Sequence, residues 1–161
     1  VYGVVDIPDK VEFTVEAEFN NTFFETSVVV IGEQAYITNF LNGQWQEISK
    51  DIVPLNFSNL GQTLAGVIES VQEPELIGSE RGHNYDAYRI WGLVKSNDLS
   101  TLVPNAGDGF DLDLELLVDR NRGLLLQVLI AGQMIDTDVP ETIRILTLDD
   151  IDSTVEINAP R

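Results

Sequence analysis

Residues able to do chemistry are few in this sequence: it holds one histidine, no cysteine and 27 acidic side chains. The absence of cysteine removes thiol catalysis, disulfides and Cys-based metal sites together. His83 lies in Arg81-Gly82-His83-Asn84, which reads as a connection between strands on the surface. With no second histidine, a zinc or facial-triad iron site lacks its usual ligands. No Gly-x-Ser-x-Gly elbow marks a serine nucleophile, and no glycine-rich phosphate cradle is present. Asp111, Asp113 and Glu115 alternate along one stretch, and Glu12, Glu16 and Glu18 along another. Such alternation places acids on the wet side of a strand, a reading that outweighs calcium and, further still, paired acid/base catalysis of the glycosidase kind. Asp108, Asp111 and Asp113 lack EF-hand spacing, and Asp149, Asp150 and Asp152 read as a turn. The expectation is therefore a protein that is not an enzyme, with no catalytic residue, no metal and no cofactor.

Composition narrows the partners. Nine basic residues against 27 acidic ones give a net charge of −18, and no Lys/Arg cluster exists to displace counterions, so nucleic acid is not a partner. Docking on anionic headgroups through a polybasic patch is disfavoured for the same reason. At 161 residues and 43% hydrophobic, the chain is expected to be a single domain, 1–161, with a real core. No run reaches the roughly 20 apolar residues of a membrane span. The chain opens on Val1-Tyr2-Gly3 without an initiator Met, which reads as a mature or trimmed piece whose targeting segment is absent.

The elements that would position any site centre on Asp111 to Ala131. With a turn at Asp119-Arg120-Asn121-Arg122-Gly123, the expected register sets Val118 opposite Leu124, Leu116 opposite Leu126, Leu114 opposite Val128 and Leu112 opposite Ile130. One face is then wholly apolar. The other starts acidic and turns apolar at Leu117, Leu125 and Leu129. Upstream, Val11, Phe13, Val15, Ala17 and Phe19 alternate with polar residues, and Asn20-Asn21 makes a turn setting Phe19 opposite Thr22 and Ala17 opposite Phe24. Gly32-Glu33 makes a second turn that brings Ala35 and Ile37 beside Val28 and Val30. Asn42-Gly43 is the strongest hairpin signal and leads into Trp45 to Ile48. The first third is a four-strand meander.

Pro54 breaks this pattern. Asn56 to Gln72 carries Leu60, Leu64, Val67, Ile68 and Val71 along one helical stripe, capped by Asn56, Ser58 or Asn59, and reads as a plausible moving cover. Strands resume at Glu75 to Glu80 and Tyr85 to Lys95, the latter with Tyr88, Ile90 and Val94 on one side and Arg89, Trp91 and Leu93 on the other. A short helical turn over Ser96 to Val103, a loop at Asn105 to Gly109, and strands over Thr142 to Leu148 and Thr154 to Ile157 complete the chain. About ten antiparallel strands in hairpin order predict an α+β fold: one strongly curved sheet with helices against its hollow face, where the helix stripe is either core or the wall of a ligand cavity.

Several segments, in order, resemble the mycobacterial LppX/LprG lipoprotein family, related in fold to the LolA and LolB carriers. They are Gln34 to Thr38 running through Asn42 to Trp45, the helix after Pro54, Gly78 to Val94 with Ala87-Tyr88-Arg89-Ile90-Trp91-Gly92, Leu99 to Pro104, Val118-Asp119 through Gly123-Leu124, and Pro140 to Arg144. The resemblance spans nearly the whole chain. It implies a strongly curved antiparallel half-barrel sheet with helices on its concave face enclosing an apolar cavity, in a cell-envelope, extracytoplasmic lipoprotein that carries acylated lipid or glycolipid and is not an enzyme. Members begin with a signal peptide, an acylated cysteine and a first helix, none of which is visible here, so membrane contact through an anchor outside this chain is inferred.

The reading is an extracytoplasmic lipid carrier, a monomer, that holds acyl chains in an apolar cavity. Its expected wall is Val28, Val30, Ile37, Leu60, Leu64, Val67, Ile68, Tyr88, Ile90, Leu114, Leu116, Leu126 and Val128. The alternative is a cavity-free structural or protein-interaction domain of the envelope, in which the same residues fill a solid core. A third reading, a hydrolase of acylated substrates, requires a Ser or Asp activated by His83.

Overall fold

The computed structural model describes residues 1–19, 22–50, 53, 60–82, 85–100, 103, 106–107 and 109–160, without the side chains of 17–19, 60 and 61. The Asn20-Asn21 turn, Pro54, the caps Asn56, Ser58 and Asn59, His83, Asp108 and the Leu60 side chain lie outside the described residues. Ten strands form two five-stranded antiparallel sheets in simple meander order, in place of the single curved sheet expected. The chain divides into two compact units, residues 1–60 with 153–161, and residues 61–152.

In the first unit the strands are β1 (Tyr2–Asp6), β2 (Lys10–Phe19), β3 (Thr22–Ile31), β4 (Gln34–Thr38) and β5 (Trp45–Ile48). Here the expected pairing holds residue for residue: Phe19 faces Thr22, Ala17 faces Phe24, Phe13 faces Val28, Ile31 faces Gln34 and Val28 faces Ile37. The alternation of β2 fixes this, because a slip of one residue would turn Val11 and Phe13 to solvent. Val11, Phe13, Val28, Val30 and Ala35 form the core, with Val5, Val15, Ile37, Ile48 and Val53 packed against it. The sequence reading missed β1, an edge strand whose Gly3 rests so closely on Phe13 that a Cβ would lie 2.6 Å from the Phe13 Cβ. It also gave Thr154 to Ile157 as a strand. That segment forms no strand, but it belongs to the first unit and buries Ile157. The count of ten strands thus came from one omission and one excess.

The second unit holds α1 (Leu60–Ser70) beyond its first residue, then β6 (Gln72–Arg81), β7 (Asp86–Lys95), β8 (Asp111–Asp119), β9 (Leu125–Ala131) and β10 (Ile143–Thr147). The helix ends at Ser70, two residues before the expected Gln72, and the strand after it runs through Pro74. Proline is tolerated there because β6 is an edge strand with two register shifts, where a missing N–H leaves no ladder bond unmade. A one-turn 3-10 helix over Ser96–Leu99 takes part of the expected helical turn, and the Ser96 hydroxyl donates to the Gly107 carbonyl and accepts from Phe110 N–H at 3.1 Å.

The central hairpin forms with a corrected register. Leu114 faces Ile130 and Leu116 faces Val128, two residues away from the expected pairing. A two-residue shift keeps each strand's faces, so Leu112, Leu114, Leu116, Val128 and Ile130 are all buried as one stripe. Leu126 is the bulged residue, unpaired between Leu117↔Gln127 and Val118↔Leu125. The bulge takes it off that stripe and packs it with Ala87 and Leu117. Its carbonyl accepts from Leu148 N–H at 2.8 Å, so the irregularity leaves no orphaned group. Val71, just past α1, lies over Gly92, where an added Cβ would meet the Val71 Cγ1 atom and the Gln72 carbonyl. Gly92 faces Leu114, so Val71 covers the apolar side of the sheet.

Asp138 holds the long β9–β10 connection. One carboxylate oxygen accepts the Met134 and Ile135 N–H groups at 2.9 and 3.1 Å, and the other accepts the Arg144 guanidinium at 2.8 Å. The Arg144 hydrogen bond, with the two backbone donors, holds its pKa well below the ordinary carboxylate value against the opposing effect of burial. A folded-state pKa below the unfolded one contributes stability that is full above about pH 3.8 and is lost as pH falls through the folded value. Asp138→Asn is therefore expected to lower stability by about 2 kcal/mol near neutral pH. The difference in thermal midpoint between the two proteins should narrow as pH falls below about 4. A second outcome concerns Gly92: Gly92→Ala should cost about 1–3 kcal/mol by overpacking, and adding Val71→Ala should recover part of it in denaturant titrations.

Candidate functional site

The first unit carries an apolar cleft, and its origin is a mismatch in strand length. β3 runs ten residues while its neighbour β4 runs five. The ladder between them ends at Val28↔Ile37, yet β3 continues to Thr22 paired with β2 alone. Where β4 turns away, a cleft of about 490 Å³ opens, lined by Val15, Phe24, Glu25, Thr26, Ile37, Thr38, Asn39, Phe40 and Gln46. That volume lies in the roughly 300–1,000 Å³ range of small-molecule sites. Phe24 and Phe40 meet edge to face, with centroids 6.1 Å apart and ring planes at 73°.

The wall is apolar because its hydroxyls are already engaged. Thr26 Oγ1 donates to the Thr38 carbonyl at 2.8 Å, and Thr38 Oγ1 accepts the Ser27 N–H at 2.8 Å. These bonds replace the ladder where the strands part, and the threonine polar atoms are used within the wall. Asn39 and Gln46 supply amides and Glu25 the one ionisable group of the lining. Among the described residues no Lys, Arg or His lines the cleft.

Of the expected wall residues whose side chains are described, Ile37 lines this cleft. Val28 and Val30 lie on the same face but are packed into the core beside it. In the second unit Leu64 and Val67 of α1 are buried, whereas Ile68 is 42% exposed on the flank of the stripe. Leu114, Leu116 and Val128 are almost fully buried together, Ile90 is half-buried, and Leu126 joins the Ala87 cluster. Tyr88 is half-buried with the Arg120 guanidinium 4.6 Å from its ring centre. Val15 and Phe24 were legible as members of the inward face. Phe40 carried no periodic signal, being in a loop, and Thr26 and Thr38 gave none because hydroxyl residues do not advertise an apolar wall.

The acidic strand side is a set of cross-strand pairs. The Arg89 Nε donates to Glu115 at 2.8 Å, the Trp91 indole N–H donates to Asp113 at 3.1 Å, and Lys95 pairs with Asp111. Among the described residues no group of acidic side chains has the geometry to hold a metal ion. Asp150 and Asp152 have positive φ values of 49° and 67°, as the turn reading requires.

The exposed Phe40 gives a clean test of the wall. Phe40→Ser should weaken binding of an apolar fluorescent probe about fivefold to tenfold, in line with losing part of a buried aromatic contact. The thermal midpoint should stay nearly unchanged, since Phe40 is largely outside the core.

No protein-family model matches the chain, and no curated protein does. Among solved structures it is similar to LprF from Mycobacterium bovis, with a TM-score of 0.73 at 16% identity over 94% of this chain and 74% of that one. It is also similar to the Mycobacterium tuberculosis lipoprotein LppX, with a TM-score of 0.55 at 13% identity over 93% of this chain and 88% of that one. The chain therefore shares its fold with mycobacterial proteins of the LppX/LprG kind, the likeness its sequence segments implied.

Proposed function

We propose that the protein is an extracytoplasmic lipid carrier of the cell envelope that holds acyl chains of a lipid or glycolipid in an apolar cavity, as a single domain and without catalysis. The observation that carries the reading is the cleft beside β3, an apolar opening whose threonine hydroxyls are engaged within the wall. A fold shared with the lipoprotein LppX and with LprF supports it. The lining offers van der Waals surface to a methylene chain and amides at Asn39 and Gln46 to a polar head.

Burial of an acyl chain from water is worth about 0.8 kcal/mol per CH₂. A chain drawn from a bilayer gains almost none of this, having been in hydrocarbon already. The carrier is then a near-balanced exchanger, in which head contacts and the shape of the cleft decide what is held. The competing reading, an interaction domain with a solid core, draws on the tight burial of Leu114, Leu116 and Val128, which shows how fully that part of the second unit is packed.

Mass spectrometry of an organic extract of the purified protein separates the two. The expected result is a stoichiometric acyl lipid whose amount falls in the Ile37→Asp variant, with folding checked by circular dichroism. An extract free of lipid, together with failure of the purified protein to take up any acyl probe, would leave the interaction reading in its place.

A further inference from the structure

We propose that the loop between β4 and β5 is a lip that docks on a lipid bilayer of neutral or zwitterionic surface. The loop, Asn39 to Gln44, carries Phe40 at 63% and Leu41 at 80% exposure, two large apolar side chains held out into water at adjacent positions. From Gln34 to Gln46 the sequence contains no Asp, Glu, Lys or Arg, in a protein of which 22% is charged. An uncharged hairpin tipped with Phe and Leu, and flanked by Tyr36 and Trp45, has the composition favoured at the boundary between headgroups and acyl chains.

The loop's own hydrogen bonds fit it for that environment. Asn39 N–H donates to the Gln44 carbonyl at 2.9 Å and Gly43 N–H donates to the Asn39 carbonyl at 2.7 Å. The Asn39 side chain accepts from Leu41 N–H at 2.9 Å, and the Asn42 side chain accepts from Gln44 N–H at 3.0 Å. Gly43 closes the turn at φ 68°. The backbone N–H groups of Asn39, Leu41, Asn42, Gly43 and Gln44 thus find acceptors within the loop, which lowers the penalty for taking irregular backbone out of water.

Charge selects the bilayer. A net charge of −18 repels an anionic surface, and the loop has no cation to offset that repulsion. Insertion of Phe40 and Leu41 into a zwitterionic surface needs no charge partner. Because Phe40 also walls the cleft, a docked lip would set the cleft mouth against the acyl region, so that a chain could enter without crossing water. This last step rests on the lipid-carrier reading; the docking itself does not.

Flotation with phosphatidylcholine vesicles tests the lip, using Leu41→Asp because Leu41 is outside the cleft wall. The wild-type protein is expected to float with the vesicles, and the Trp45 emission of a Trp91→Phe background to shift to the blue. Leu41→Asp should reduce partitioning by about tenfold or more, the factor that follows from returning one leucine to water, while binding an apolar probe as the wild type does. Adding anionic lipid should weaken the partitioning. The proposal is overturned if wild-type protein stays unbound, if Leu41→Asp binds equally well, or if anionic lipid strengthens binding. Docking by a protein that takes up no probe would uphold the lip and remove the cargo step.

Discussion

The first unit is shaped by a shortfall: β4 covers only half the length of β3. Over the paired half the inward side chains close on one another, and Val28 and Val30 are buried. Over the half that β4 does not pair with, residues of the same face line the cleft instead. A two-stranded arm is marginal in water without an apolar surface to pack on. The Thr26–Thr38 and Ser27–Thr38 hydrogen bonds tie this arm to the rest of its sheet, so threonines of the cleft wall also support the strand that frames it. A ligand that fills the cleft would stabilise the folded arm by an amount that grows with the logarithm of its concentration above Kd.

The second unit solves the opposite problem. Its apolar stripe is shut, with Leu112, Leu114 and Val128 nearly inaccessible, and its acidic residues are drawn into pairs across β7 and β8. Asp111, Asp113 and Glu115 thus each accept from a donor on β7 instead of converging with one another. Asp119 shows the same economy at a turn. Its side chain accepts from Arg122 and Asn121 N–H at 2.7 and 2.9 Å, which holds its pKa below the ordinary value. Asp119 and Asn39 head loops of the same design, each closed four residues later by a glycine at positive φ. One fixes the end of β8 and the other holds the apolar loop beside the cleft.

Much of this was legible in the sequence, and the reasons are physical. Strict alternation in β2 and β3 fixed the register of the first meander, and the Asp119 to Gly123 turn was identified from its residue types. What escaped depended on information that pattern does not carry. The register of the central hairpin was two residues off because shifts of two preserve both faces, so periodicity cannot distinguish them. The bulge at Leu126 is invisible for a related reason, since a run of three leucines fits either side. The division into two sheets was missed because hairpin order is the same whether or not β5 pairs with β6. The cleft was missed because it arises from where β4 stops, and its wall includes two threonines and a loop phenylalanine.

These features bear on how an acyl chain could be exchanged. The gross hydrophobic free energy of such a chain is large, but it is nearly equal in a bilayer and in an apolar cleft, so it cannot by itself direct movement. What the protein can control is the intermediate in which part of the chain would face water, and each exposed methylene there costs about 0.8 kcal/mol. On the carrier reading, a cleft with Phe40 in its wall and the exposed Leu41 next to it on the same loop would shorten that intermediate. If the proposed carrier reading holds, the residues that matter most for rate would be the exposed ones beside the cleft, and the buried stripe that dominates the sequence pattern would serve the stability of the scaffold.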